Sequence, residues 1–184
     1  MDSVRVERLQ SEGRVRVAWA PFELHPEAPP DGIPREAYFG RSRSEAIRGR
    51  LQSVADEVGL KMESRDVIIN SRRALAVAEF AREHGRFEAM HLALFKAHWE
   101  LTGRLENVDD LVAIGAGVGL DPEALRRAIE DGRYEALIDE TRIEAESVGI
   151  NAIPAHVFGS KYLVVGAQPY EVFRQVLDRI TDSA

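Results

Sequence analysis

Three histidines recur every seven residues in the middle of the chain, at His84, His91 and His98. Histidine is a frequent zinc ligand, but seven residues rise about 10.5 Å along a helix. That separation is too long for two ring nitrogens to reach one zinc ion at about 2.0–2.1 Å. Gly85 also interrupts the helical pattern between the first two histidines. We therefore expect histidines on a helix surface or at a core edge, and we predict no metal site.

Other residue types with catalytic potential are also limited. Acidic residues cluster at Asp139, Glu140, Glu144 and Glu146 around Arg142, a pattern typical of a solvated helix face with local ion pairs. The 184 residues include no cysteine. Disulfide exchange begins with attack by a thiolate, and no other side chain replaces it. We therefore predict no catalytic residue in this chain.

Composition excludes several classes of protein. The net charge of −7 argues against nucleic-acid binding, and no run of 18 apolar residues predicts a membrane span. The first ten residues carry charges where a signal peptide needs an apolar stretch, which predicts a cytoplasmic protein. The absence of cysteine fits a reducing compartment.

The order of predicted elements is a strand, a block of helices, and then two strands and a helix. Residues 14–22 alternate as a strand, and four prolines and a glycine keep residues 26–34 in a loop. Asp121-Pro122 is a typical helix start, with the carboxylate as N-cap. Apolar spacing and glycine stops predict helices at about 43–59, 71–84, 87–102, 107–117, 122–131 and 133–148.

The C-terminal segment predicts a hairpin that leads into a helix. Ile153-Pro154 precedes a strand at 156–158, a Gly159-Ser160 turn and a strand at 162–165. Pro169 then begins an amphipathic helix whose apolar residues can lie against one face of the hairpin.

Residues 148–180 (VGINAIPAHVFGSKYLVVGAQPYEVFRQVLDRI), 17–26 (VAWAPFELHP) and 69–95 (INSRRALAVAEFAREHGRFEAMHLALF) together resemble the DsbA family. Within it, they resemble the branch of FrnE-like oxidoreductases and 2-hydroxychromene-2-carboxylate isomerases. The resemblance implies an α/β thioredoxin-like fold in a single domain, residues 1–184, with a helical insertion at about 40–148.

The same resemblance implies that the first strand and its catalytic turn are missing. Residues 3–9 resemble the later turns of the family's first helix, so we expect the chain to be incomplete. The alternative is a rearranged sheet in which the strand at 15–22 pairs directly with the strand at 155–158.

Four residues are expected to bind substrate, on the strength of the resemblance. Pro154 is expected to be cis and to expose the main chain of Ile153 to an extended peptide or thiol. Gln168 occupies the position that carries a Ser-Asp pair in glutathione-using relatives, and Ala167-Gln168 departs from it. Asn70 could contact substrate as in the isomerases, although an N-cap role competes with this.

Three functional interpretations remain open. The chain could be a thiol-disulfide oxidoreductase whose catalytic cysteine turn is absent, a glutathione-dependent isomerase relative, or a non-enzymatic binding protein. The expected partners are a peptide bearing a thiol or disulfide, or a small thiol such as glutathione. We predict no cofactor, nucleic acid or membrane partner, and a homodimer is compatible with the sequence.

Overall fold

The computed structural model describes residues 2–57 and 59–181. The chain divides into two compact units, one formed by residues 1–20 and 144–184 and the other by residues 21–143. We call them the hairpin unit and the helical unit. No helix in the described ranges is long and apolar enough to cross a membrane. The sequence-based expectation of a single domain stays a prediction.

The block of helices, the C-terminal hairpin and the last helix follow one another in the predicted order. The elements are α1 (Asp2–Ser11), β1 (Ile33–Pro34), α2 (Arg35–Phe39), α3 (Arg41–Glu57), β2 (Val67–Ile68), α4 (Arg72–Glu83), α5 (Phe87–Trp99), α6 (Val108–Gly117), α7 (Pro122–Glu130), α8 (Glu135–Ser147), β3 (Ala155–Phe158), β4 (Tyr162–Val165) and α9 (Tyr170–Thr181).

The helical unit contains a continuous apolar core between α4 and α8. Helices α4, α5, α6 and α7 pack on one another, and Phe80 and Leu111 lie at its centre, almost fully buried. Gly115 lets α6 approach α7 closely, because a Cβ there would lie 2.3 Å from a methyl carbon of Leu125. The core includes Ala74, Ala76, Val77, Phe80, Ala81, Met90, Leu94, Ala97, Leu105, Leu111, Val112, Leu120, Leu125, Ala128, Tyr134 and Ile138.

Side-chain caps fix where two of these helices begin. The Asp121 carboxylate accepts a hydrogen bond from the Ala124 N–H at 2.6 Å, and Pro122 follows at the first helical position. The Asn107 side chain accepts from the Asp110 N–H at 3.0 Å in the same way. These bonds satisfy N–H groups that have no partner inside the helix. The predicted start at Asp121-Pro122 is confirmed.

A two-stranded antiparallel ribbon and a short helix were not predicted. Strands β1 and β2 pair Ile33 with Ile68 and Pro34 with Val67, so the predicted loop at 26–34 ends in a strand. Two-residue strands have no periodicity to detect, and Pro34 tolerates the position because it lies in a sheet with only two strands. Helix α2 follows directly, with no side-chain cap to mark its start.

The hairpin unit consists of α1, the β3–β4 hairpin and α9. The turn has positive φ at Gly159 (57°) and Ser160 (54°), and the Lys161 N–H donates to the Phe158 oxygen at 3.0 Å. This φ pattern is that of a type I′ turn, whose twist matches the strands of a hairpin. Helix α1 contacts α9, where the Arg8 guanidinium lies 4.0 Å from the centre of the Tyr170 ring.

The predicted strand at 14–22 is wrong. Residues 15–20 keep the alternation expected of a strand, with Val15, Val17 and Trp19 half-buried and the intervening residues exposed. No strand lies beside them in the described residues, so their N–H and C=O groups form no ladder. The alternative of direct pairing with β3 is not observed either, because among the described residues β3 pairs with β4 alone. Alternation reports which side chains are buried, whereas a strand also needs a hydrogen-bonded neighbour.

Candidate functional site

The start of β3 brings Ile153 and Pro154 to the surface of the hairpin unit. The peptide bond between them is cis, as the resemblance implies for the family. The Pro154 oxygen accepts a hydrogen bond from the Gly166 N–H at 2.7 Å, which closes the hairpin at its open end. The Ile153 side chain is 50% exposed. A large apolar side chain therefore lies in water immediately before the strand.

The two edges of β3 differ in their hydrogen bonding. In an antiparallel ladder, hydrogen-bonded and non-hydrogen-bonded pairs alternate. The bond between Pro154 and Gly166 fixes this alternation, so His156, opposite Val164, directs its main-chain groups at β4. Ala155 and Val157 then direct their N–H and C=O groups away from β4. No other strand of the described residues pairs with this outer edge of β3.

The two faces of the hairpin also differ. On one face, the His156 and Phe158 rings lie 4.9 and 5.9 Å from the ring of Phe173 in α9, which is fully buried. On the other face, Val157 and Leu163 are directly opposite each other and are 55% and 40% exposed. The outer edge of β3 is therefore flanked by exposed apolar side chains.

Gln168 lies in the loop between β4 and α9, in the same unit as Pro154. Its side-chain amide donates to the Val165 oxygen at 3.0 Å. The bond ties the loop to the end of β4, as an internal turn contact does. A Ser-Asp pair would offer hydroxyl and carboxylate groups here, whereas this chain presents an amide whose NH₂ group already has a partner.

Asn70 belongs to the helical unit, and its side chain is occupied on both sides. Its oxygen accepts from the Arg72 N–H at 3.0 Å, and its NH₂ group donates to the Ala28 oxygen at 2.7 Å. The first bond is an Asx turn that caps the start of α4. Asn70 thus joins the proline-rich loop to α4, and it also lines a cleft in this unit.

A buried ion pair next to Asn70 was missed from the sequence. The Glu23 carboxylate is 1% exposed and receives two hydrogen bonds from the Arg72 guanidinium, at 3.3 and 2.7 Å. Arg72 also donates to Asp139 at 2.5 Å. The hydrogen bonds that Arg72 donates to Asp139 and to Glu23 raise the pKa of Arg72, and the same contact lowers the pKa of Asp139. One feature of the sequence could have indicated this pair. Glu23 is an acidic residue inside the largely apolar run APFEL at residues 20–24.

The three heptad histidines form separate contacts. His84 Nδ1 lies 2.8 Å from the Phe80 oxygen, and the His91 ring packs between Phe87 and Phe95. His98 is more deeply placed, and burial lowers its pKa to about 4, with Arg65 and Arg35 adding to the effect. In the described part of the chain, no group of three or more histidine, aspartate and glutamate side chains is placed to hold a metal ion.

Comparison with known proteins decides the family. The model of the DSBA-like thioredoxin domain matches residues 3–178. The chain belongs to this family. Its fold is accordingly a thioredoxin-like α/β fold of the DsbA type, with mostly helices and a small sheet.

Two individual proteins support the assignment to the DsbA-like family. The chain is 26% identical to the crystal structure titled probable DsbA oxidoreductase SCO1869 from Streptomyces coelicolor. That match has a TM-score of 0.88 and covers 99% of this chain and 84% of the other. The chain is also 25% identical over 166 residues to the uncharacterized protein YwbO of Bacillus subtilis strain 168. This second match covers 89% of this chain and 81% of YwbO.

Proposed function

We propose that this chain is a FrnE-like thiol-disulfide oxidoreductase family member whose catalytic cysteine turn is absent, and that it retains the substrate-binding strand. The outer edge of β3 would bind an extended peptide that bears a thiol or a disulfide. The observation that carries this proposal is that no strand of the described ranges pairs with the outer edge of β3 at Ala155 and Val157, next to the exposed Ile153.

An exposed strand edge binds a peptide by adding one more strand to the sheet. Main-chain hydrogen bonds supply affinity, and contacts to alternate side chains supply selectivity. Here Ala155 and Val157 supply the main-chain groups. Val157 and Leu163 supply an apolar face on which side chains of the peptide can pack. Such binding selects an extended backbone and does not need a cysteine in this chain.

Exchange itself needs a thiolate, which this chain cannot supply. The purified 184-residue chain should therefore not reduce insulin disulfides above the uncatalysed rate. Turnover in protein free of contaminating thioredoxin would show that another group performs the chemistry. A chain without structural disulfides also fits a reducing, cytoplasmic location, which we propose with it.

Two proline variants test the binding edge. Val157→Pro removes an N–H that points away from β4, so the hairpin ladder can persist while the outer edge loses a donor. Leu163→Pro is the matched control, because Leu163 lies opposite Val157 and its N–H points to the far edge of β4. The probe is a short β-branched peptide with one alkylated cysteine, titrated by NMR.

We expect Val157→Pro to weaken peptide binding by about tenfold or more, a loss of about 1.4 kcal/mol. Leu163→Pro also removes an exposed apolar side chain but leaves the outer edge of β3 intact, so it should weaken binding much less. Equal loss in both variants, or none in either, would overturn the proposed edge. A parallel titration with glutathione separates the isomerase interpretation. Saturable glutathione binding that is weakened by Gln168→Ala would favour it over peptide binding.

A further inference from the structure

A cleft in the helical unit begins beside Asn70, Arg72 and Arg73 at the start of α4. It has two adjoining lobes of about 450 and 560 Å³. Pockets that bind small molecules typically measure about 300–1,000 Å³. Pro30, Arg73, Glu106, Val108 and Glu130 line both lobes. The proline-rich loop and helices α4, α6 and α7 therefore line a half-open cleft large enough for one small molecule.

Most charged groups around this cleft are already neutralised. Arg72 is held by Glu23 and Asp139, as described above. Arg104 bonds to Asp110 at 3.1 Å, and Arg126 bonds to Asp109 at 2.6 Å. These pairs leave little free charge for a ligand.

Arg73 is different, because the described residues give it no carboxylate partner. One of its terminal nitrogens donates to the Glu106 main-chain oxygen at 3.0 Å. This bond holds the guanidinium in place on the cleft wall and leaves its other N–H groups available. A guanidinium presents pairs of parallel N–H groups that match the two oxygens of a carboxylate.

Glu106 supplies the opposite charge in the same cleft. Its Oε2 atom is buried and has no hydrogen-bond partner in the described part of the chain. A buried carboxylate oxygen without a donor costs free energy, and the Glu106 side chain, which lines the cleft, can accept a hydrogen bond from an ammonium group. Glu135, which lines the smaller lobe, forms no ion pair among the described residues and provides a second carboxylate. Val108 and Ile129 provide apolar wall beside these groups.

We propose that this cleft binds a basic α-amino acid, with its carboxylate on Arg73, its aliphatic stem on Val108 and Ile129, and its two ammonium groups on Glu106 and Glu135. In the smaller lobe, Glu130 lies 4.0 Å from Arg126, which leaves one guanidinium and two carboxylates without an ion pair among the described residues. These three groups match a ligand with one negative and two positive charges. The site is independent of the proposed peptide edge, since every residue that forms it belongs to the helical unit.

The experiment titrates the full chain with L-lysine and follows the amides of α4, α6 and α7 by NMR. Three related compounds test the individual contacts. Norleucine lacks the second ammonium group, lysinamide lacks the carboxylate, and cadaverine lacks the carboxylate while keeping two amines. We expect each to bind about tenfold or more weakly than lysine, which is the change expected when one charged contact is lost.

Matched variants assign the contacts to residues. Arg73→Gln and Glu106→Gln should each weaken lysine binding by about tenfold or more. The controls Arg127→Gln and Glu123→Gln alter exposed charges outside the cleft lining and should bind lysine normally. Urea denaturation of each variant verifies that it is folded.

Two outcomes would overturn the proposal. The first is that cleft amides show no saturable shift at about 10 mM lysine, well above a millimolar dissociation constant. The second is that cadaverine binds as well as lysine and Glu106→Gln changes nothing. That result would mean that the net charge of −7 attracts any cation to the surface.

Discussion

The helical unit and the hairpin unit use their apolar residues in different ways. In the helical unit, four helices close around a core that continues from α4 to α8. In the hairpin unit, the buried apolar residues described are Val6, Leu9 and Phe173, while the hairpin leaves Val157 and Leu163 exposed. One unit is thus stabilised by packing, and the other offers apolar side chains and an open strand edge to a partner.

The two units also differ in how their main-chain hydrogen bonds are satisfied. Helices satisfy their own main-chain groups, so their packing can proceed from contacts close in sequence. A two-stranded hairpin leaves two edges open and is marginally stable at best by itself. The same open edge that weakens the hairpin unit is what allows it to receive an extended peptide.

The largest expected effects come from truncating the central aromatic residue of each unit. Phe80→Ala should reduce the free energy of unfolding by about 3–5 kcal/mol, the usual cost of removing a buried ring. Phe173→Ala removes the ring that packs on His156 and Phe158, and the hairpin unit has few other buried groups. Urea denaturation and amide exchange measure the two effects.

The pattern of protection distinguishes the units. We expect Phe173→Ala to abolish protection of amides in β3, β4 and α9 while amides in α4 and α6 keep theirs. A uniform loss of protection in both units would contradict the difference described here.

Breaking the buried ion pair should have a comparable effect on the helical unit. Arg72→Met leaves the Glu23 carboxylate buried without a partner, which typically costs about 3–5 kcal/mol. Asp139→Asn is the matched control, because the Asp139 side chain is 44% exposed and its neutralisation leaves the pair of Glu23 with Arg72 intact. We expect a much smaller change in that variant, measured by urea denaturation at neutral pH. Equal losses would show that Glu23 does not depend on Arg72.

A smaller effect is expected from His98, and it depends on pH. Burial lowers its pKa to about 4 in the folded chain, whereas an unfolded chain has a histidine pKa near 6.5. Between about pH 6.5 and 4, His98 is therefore protonated in the unfolded chain but largely neutral in the folded chain. The free energy of unfolding consequently falls as the pH decreases through this range.

A non-titrating variant isolates this contribution. Between pH 7.5 and pH 5, wild type should lose about 2 kcal/mol more stability than His98→Gln. Denaturation curves for both proteins at the two pH values give the difference. Parallel pH profiles would mean that His98 takes up its proton in the folded state.

The helices could be predicted well from the sequence, because residues close to each end determine where a helix begins and ends. Asp121-Pro122 starts α7, and Gly119, at φ 84°, follows α6 in a conformation that favours glycine. The strand at 14–22 was wrong because a strand depends on a neighbour elsewhere in the chain. Its alternating burial was nevertheless correct.

The residues of the proposed sites also differ in whether a local motif marks them in the sequence. Ile153 and Pro154 could be named from the sequence because a short motif before a hairpin marks them, and their binding role stays a prediction. The buried pair of Glu23 with Arg72 and the cleft around Arg73 and Glu106 were missed. Their members come from distant parts of the sequence, and only the tertiary fold brings them together.

The central claim is that the outer edge of β3 is open and accepts an extended peptide. Residue-resolved amide exchange tests it directly. Without peptide, the amides of Ala155 and Val157 should exchange fast while those of His156 and Phe158, which point at β4, exchange slowly. Addition of the alkylated-cysteine peptide should protect Ala155 and Val157 and leave His156 unchanged. Slow exchange at Val157 before any peptide is added, or no gain in protection afterwards, would contradict the account.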